Sequence, residues 1–230
     1  MQRRLFLGSA LGAALLTLGG CGGGDSAVAA APTSSDAATA TAASSTLSTQ
    51  LASIPPSELS PSEAQALVFM REEEKLARDV YQLLGAQWGQ KVFSNIAASE
   101  QQHMDAVALL LARYNLPDPA ASTAVGVFTD PALQQLFNSL MAQGQTSLIG
   151  ALTVGATIED LDIVDLQQRI AATDNADIAL VFSELMKGSR NHLRAFISQL
   201  TRQGASYTPQ YISQAEFDAI INSPMETGSV

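Results

Sequence analysis

The stretch Ile96-Ala97-Ala98-Ser99-Glu100-Gln101-Gln102-His103-Met104-Asp105-Ala106-Val107 decides how the chain is read. Ile96, Glu100, His103, Val107 and Leu110 follow one another at spacings of four, three, four and three, the stripe by which a helix faces its partners. A glutamate and a histidine thus stand one turn apart inside an apolar seam. A polar group there is costly unless it is hydrogen-bonded or holds an ion.

Outward from this stretch the same stripe recurs three times. A helical pattern from Pro61 to Leu84 carries Leu67, Met70, Glu74, Ala77 and Tyr81 on its seam, and one from Ser147 to Ala172 carries Leu152, Gly155, Glu159, Asp162 and Leu166. A fourth, from Ala176 to Gln203, carries Ile178, Leu185, Ser189, His192 and Phe196. Each seam is apolar at its ends and polar in its middle. Three inward carboxylates repel one another, and a cation removes the repulsion while satisfying their lone pairs. The second helix spans Val92 to Tyr114, ended by Leu116-Pro117-Asp118-Pro119, and Gly204 ends the fourth.

The connections are short, long and short, with a small extra helix over Pro131 to Gln143 in the long one. No run alternates as a strand does. This predicts an all-α fold, an antiparallel four-helix bundle with one long crossover containing a short helix, closed by a C-terminal flap over Tyr207 to Ile221. Asp174 and Asn175 read as the cap of the last long helix, with Asp177 favouring its N-terminus.

Ahead of the bundle the composition changes. Arg3 and Arg4, an apolar run from Leu5 to Leu18 and Leu18-Gly19-Gly20-Cys21 read as a signal peptide over residues 1–20, too Gly-rich to serve well as a spanning helix. The paired arginines before Leu5-Phe6-Leu7 resemble a twin-arginine export signal, and Leu-Gly-Gly-Cys resembles a lipobox. That resemblance implies lipidation at Cys21, a membrane partner reached through the lipid anchor, and a location on the periplasmic side of the cell envelope. Residues 21–57, rich in Ala, Ser, Thr and Gly, read as a flexible tether, and 58–222 as the folded domain. With a formal charge of -10, a nucleic-acid partner is excluded. The single cysteine makes no internal disulfide, so the fold stands on burial alone.

Glu74-Lys75-Leu76-Ala77-Arg78-Asp79-Val80-Tyr81 resembles the first-helix motif Glu-x-x-Ala-Arg-x-x-Tyr of the rubrerythrins, and Glu100 to His103 resembles their Glu-x-x-His unit. The region from Ser60 to Ile221 as a whole resembles an uncharacterised bacterial and archaeal family of the ferritin-like superfamily. The resemblance implies a ferritin-like bundle whose core holds iron, mononuclear or dinuclear, or manganese. The residues placed to hold it are Glu74, Glu100, His103, Glu159, Asp162 and His192. Ser189 stands where a ligand glutamate is expected, three residues before His192, and Glu184 is two turns away. An open position at Ser189 would admit a small oxidant, giving oxidase or peroxidase-like chemistry. Zinc fits so oxygen-rich a set less well.

The other reading is a metal-free envelope bundle for structure or protein interaction, in which Glu74 pairs with Arg78 or Arg190 and Glu100 bonds His192. Glu72 and Glu73 fall off the seam and read as solvated or paired with Arg71 and Lys75. Asp160 and Asp165 read as a solvated face, and Trp88, Phe128 and Phe137 as packing. Tyr81 reads as core, within reach of a ligand. Bundles of this kind often pair as homodimers, and no interface stands out.

Overall fold

The computed structural model describes residues 47–227. The signal peptide, Cys21 and the tether up to residue 46 lie outside the described residues. A short helix, α1, covers 47–53, followed by α2 (Pro61–Trp88), α3 (Lys91–Arg113), α4 (Pro131–Gly144), α5 (Leu148–Ala171), α6 (Ala176–Arg202) and α7 (Gln214–Ile221). Among the described residues there is no strand, and no helix is long and apolar enough to cross a membrane.

The boundaries follow local chemistry. Ser60 and Glu63 form a capping box with Pro61 in the first turn of α2, and Gly89 ends the helix at φ 66. Asp130 caps α4 through the Ala132 and Leu133 amides, and Ser147 and Ser213 cap α5 and α7. Asn175 occupies the cap position of α6, but its side chain makes no capping bond. Its Nδ2 instead donates to Glu58 O and Glu63 Oε1, tying α6 to the start of α2.

Residues 47–53, part of the expected tether, pack onto the domain. Leu47 and Leu51 are buried one turn apart, and Arg113 donates to the carbonyls of Leu51 and Ile54 while its Nε lies 2.8 Å from Asp177.

α2 packs on α3 and α5 on α6, and the two pairs meet along α2–α5 and α3–α6. α4 lies against α2 and α5, and α7 against α6. Two apolar clusters result. One gathers Ala77, Tyr81, Phe93, Ile96, Leu152 and Phe196, the other Leu67, Met70, Val107, Leu110, Leu166 and Leu185. Along each long helix the polar middle of the seam falls between residues of the two clusters.

Glu72, Glu73, Asp160 and Asp165 are all buried, which corrects their reading as solvated. Glu72 accepts from the Thr129 and Asp130 amides and the Thr129 hydroxyl. Asp160 accepts from the amides of Gln210, Tyr211 and Ile212 and from the Tyr207 hydroxyl. Glu72 faces the crossover and Asp160 the flap, segments whose own backbone donors need acceptors. Lys75, wholly buried, likewise donates to Ala124 O, Val127 O and Asp79.

Candidate metal centre

Between the two apolar clusters α2 supplies Glu74, α3 Glu100 and His103, α5 Glu159 and Asp162, and α6 Ser189 and His192. Glu74, Glu100, His103 and Glu159 are each 2% exposed, and Asp162 and His192 7%. Their oxygen and nitrogen atoms form two triads, Glu74–Glu100–His103 and Glu100–Glu159–His192, each with one donor atom per residue within 4.8 Å of the others. Glu100 belongs to both.

The first triad is centred on His103 Nδ1, 2.8 Å from Glu100 Oε2 and 3.1 Å from Glu74 Oε2. In the second, His192 Nδ1 lies 2.9 Å from Glu100 Oε1 and 3.5 Å from Glu159 Oε2. The imidazoles stack with centroids 5.4 Å apart, so both present Nδ1 to the shared carboxylate. A Cβ on Gly188 would meet His103 Nε2 and Cε1, so a glycine there makes room for the ring. Gly155 likewise makes room for Phe196 below Glu159.

Asp162 belongs to neither triad. Ser189 Oγ donates to Asp162 Oδ2 and to Leu185 O, so the serine in the expected glutamate position holds the neighbouring acid. Tyr81 donates to Glu159 Oε1 at 2.5 Å while its ring packs on Phe196 with centroids 5.2 Å apart; it is both core and partner of a site carboxylate. His192 Nε2 lies 2.9 Å from Ser99 Oγ, a residue off the seam whose role the helix periodicity did not disclose. Neither Arg78 nor Arg190 pairs with Glu74. Arg78 binds Asp79 and Gln101, and Arg190 binds Glu226.

The electrostatics show groups in conflict. Burial, with Glu100 adding to it, pushes the Glu74 and Glu159 carboxyls up to about 7 against the pull of the imidazoles. Burial also opposes charge on His192, yet Glu100 and Glu159 outweigh it and raise the imidazole to about 10. His103 is raised well above its ordinary value against the same burial by Glu100 and Glu74. Glu100, flanked by both rings, is held far below the usual carboxylate range despite its burial.

Glu74 Oε1, Glu100 Oε1, Asp162 Oδ1 and His192 Nδ1 are buried without a hydrogen-bond partner. His192 Nδ1 and Glu100 Oε1 are close but not aligned as donor and acceptor. Buried polar atoms are nearly always satisfied, so four orphans in one layer call for a partner of another kind. A cation meets that need, and carboxylate oxygens with two imidazole nitrogens suit iron or manganese. The residues present fit such an ion.

The family model of the uncharacterized protein domain DUF2202 matches residues 63–224, which contain every residue of this layer. The chain is similar to the uncharacterized protein MJ0754 of Methanocaldococcus jannaschii, at 52% identity over 178 residues, 77% of this chain and 96% of the relative. It is also similar to the crystal structure of hypothetical protein MJ0754 from Methanococcus jannaschii DSM 2661, with a TM-score of 0.74 and 53% identity, covering 76% of this chain and 99% of that one.

Proposed function

The chain belongs to the DUF2202 family, and we propose that it is a metal-binding protein of ferritin-like architecture, holding iron or manganese at the two triads that share Glu100. The observation that carries this reading is the layer of four buried, unpartnered donor atoms contributed by α2, α3, α5 and α6. The four long helices with one long crossover support the ferritin-like assignment.

In this reading Glu74, Glu100 and His103 would hold an ion at one triad, and Glu100, Glu159 and His192 at the other. A bound iron or manganese ion would supply one-electron redox chemistry toward oxygen or hydrogen peroxide. Tyr81 orients Glu159 by donating to Oε1. Ser189, by donating to Asp162 Oδ2, fixes that acid beside the triads as a group able to hold or give up a proton. The apolar clusters exclude water from both sides.

Elemental analysis of the protein expressed with added iron or manganese tests the reading: metal near one or two ions per chain supports it, and protein free of both metals overturns it. A metal-free structural bundle is favoured by the Glu100–imidazole pairs, which balance charge without an ion. Replacing Glu100 by Gln and His103 by Leu together separates the two. A metal-holding protein loses its metal-dependent rise in melting temperature, since an ion bound only by the folded state stabilises it by mass action. A structural bundle melts unchanged or higher, with or without metal.

The same proposal places the protein outside the cytoplasmic membrane, anchored through a lipidated Cys21. Labelling cells with a radioactive fatty acid tests this, and an unlabelled protein, or equal label on Cys21→Ser, rejects it.

A further inference from the structure

The acids of α5 extend beyond the centre. Past Glu159 and Asp162 the same helix face continues to Asp165 and Arg169, at steps of three, three and four residues. Glu73 of α2 lies alongside Asp165 and Asp162 and within the field of Arg169. It is 5% exposed, and no amide, hydroxyl or cationic donor reaches either of its carboxylate oxygens or Asp162 Oδ1, although the Asp165 carboxyl lies within hydrogen-bonding reach of Glu73. Burying such oxygens without donors is costly.

These groups form a file. Asp162, one turn from Glu159 on α5 and held by Ser189 of α6, marks its inner end. All of its members are buried, at 2% exposure for Glu74 and Glu159, 7% for Asp162, 5% for Glu73 and 7% for Asp165. At the outer end Arg169 is half-buried, its guanidinium 4.5 Å over the Phe69 ring and its Nε buried without a partner. A dry centre walled by two apolar clusters needs a way in, and the file is a line of hard oxygen donors between it and the surface.

We propose that Glu73, Asp165 and Asp162 form a transit site by which a divalent cation passes between α2 and α5 to Glu74 and Glu159. This rests on the metal reading above. Glu73 and Asp165 are not final ligands. They replace part of the ion's water shell on the way in, and Arg169 balances their charge when no ion is in passage. The class of ion is a hard or borderline divalent cation that accepts an all-oxygen shell, as manganese and ferrous iron do.

Rapid mixing of the metal-free full chain with cobalt(II), followed by its visible absorption, tests the route. Glu73→Gln and Asp165→Asn should each slow uptake about tenfold or more, the scale by which charge steers small ions. Release into a chelator should slow in parallel, leaving final stoichiometry and affinity unchanged. Uptake as fast as wild type overturns the proposal. So does slow uptake with a matching loss of affinity, which would make these acids ligands, or an equal slowing by the exposed-site change Asp105→Asn, which would make the effect one of net charge. Circular dichroism checks folding, and if Glu73→Gln unfolds, Asp165→Asn decides. A wild-type chain that takes up no cobalt removes the metal reading and the route together, whereas normal wild-type uptake with unaltered variants removes the route alone.

Discussion

At His192 the Nε2 nitrogen faces the Ser99 hydroxyl at 2.9 Å and Nδ1 faces Glu100 and Glu159. With the ring proton held on Nε2 by the serine oxygen, the Nδ1 lone pair is free for an ion. Ser99→Ala should therefore weaken metal binding about 10- to 100-fold, the usual cost of losing such a support, while the melting temperature of the metal-free protein barely moves. Ser99→Thr should restore it; calorimetric titration with manganese reads both. Gly188→Ala should act on the other ring, because its Cβ would collide with the His103 imidazole. Loss of tight binding with helix content retained is the expected result, and an unaltered affinity would show that His103 adapts. Seam spacing alone disclosed Glu74, Glu100, His103, Glu159, Asp162, Ser189 and His192. Ser99 and Gly188 were hidden because they act on a side chain of another helix, and no periodicity within one helix encodes that contact.

Among the elements, α2 carries the densest set of obligations, with Arg71 through Ala77 all buried although five of those seven residues are charged. A single-stripe reading accounts for Glu74 alone. Glu72, Lys75 and Asp79 belong to a second face, which binds the crossover: Glu72 takes the Thr129 and Asp130 amides, Lys75 the carbonyls of Ala124 and Val127, and Asp79 the Gly126 amide. Arg71 adds a two-pronged bond to Asp118. The helix was legible, but its ion pairs were not: Lys75 and Arg71, read as partners of Glu72 and Glu73, bind Asp79 and Asp118 instead. The covering of its outer face was not legible either, because an irregular crossover has no pattern that announces where it lies. Similarly α1 was concealed in an Ala/Ser/Thr-rich stretch in which Leu47 and Leu51 are the two apolar residues spaced one turn apart. Lys75→Met should cost about 3–5 kcal/mol, the penalty for stranding a buried acid, here Asp79. Urea unfolding measures it, and a loss below about 1 kcal/mol would mean that Arg78 and the Gly126 amide suffice to hold Asp79.

For the described domain taken whole, the buried acids and imidazoles set how stability responds to pH. Glu74 and Glu159 have folded-state values near 7, above the ordinary 4.5, so the metal-free fold is favoured while they keep their protons. That contribution is complete below about 4.5 and is lost as pH rises through 7. His192 is raised from 6.5 to about 10, so the stability from its charged ring is complete below 6.5 and is lost as pH climbs through 10. Both signs agree: between pH 5 and 9 the metal-free protein should melt at steadily lower temperature. An ion reverses this, because it takes the deprotonated carboxylates and the free Nδ1 atoms that high pH supplies. The rise in melting temperature on adding manganese should accordingly grow from pH 5 to pH 9, and calorimetry in buffers of different ionisation heat should show protons released on binding near neutrality. A metal-free melting curve that is flat over this range would mean that the two carboxyls titrate as ordinary surface acids. The buried layer would then lack the electrostatic conflict that a cation resolves.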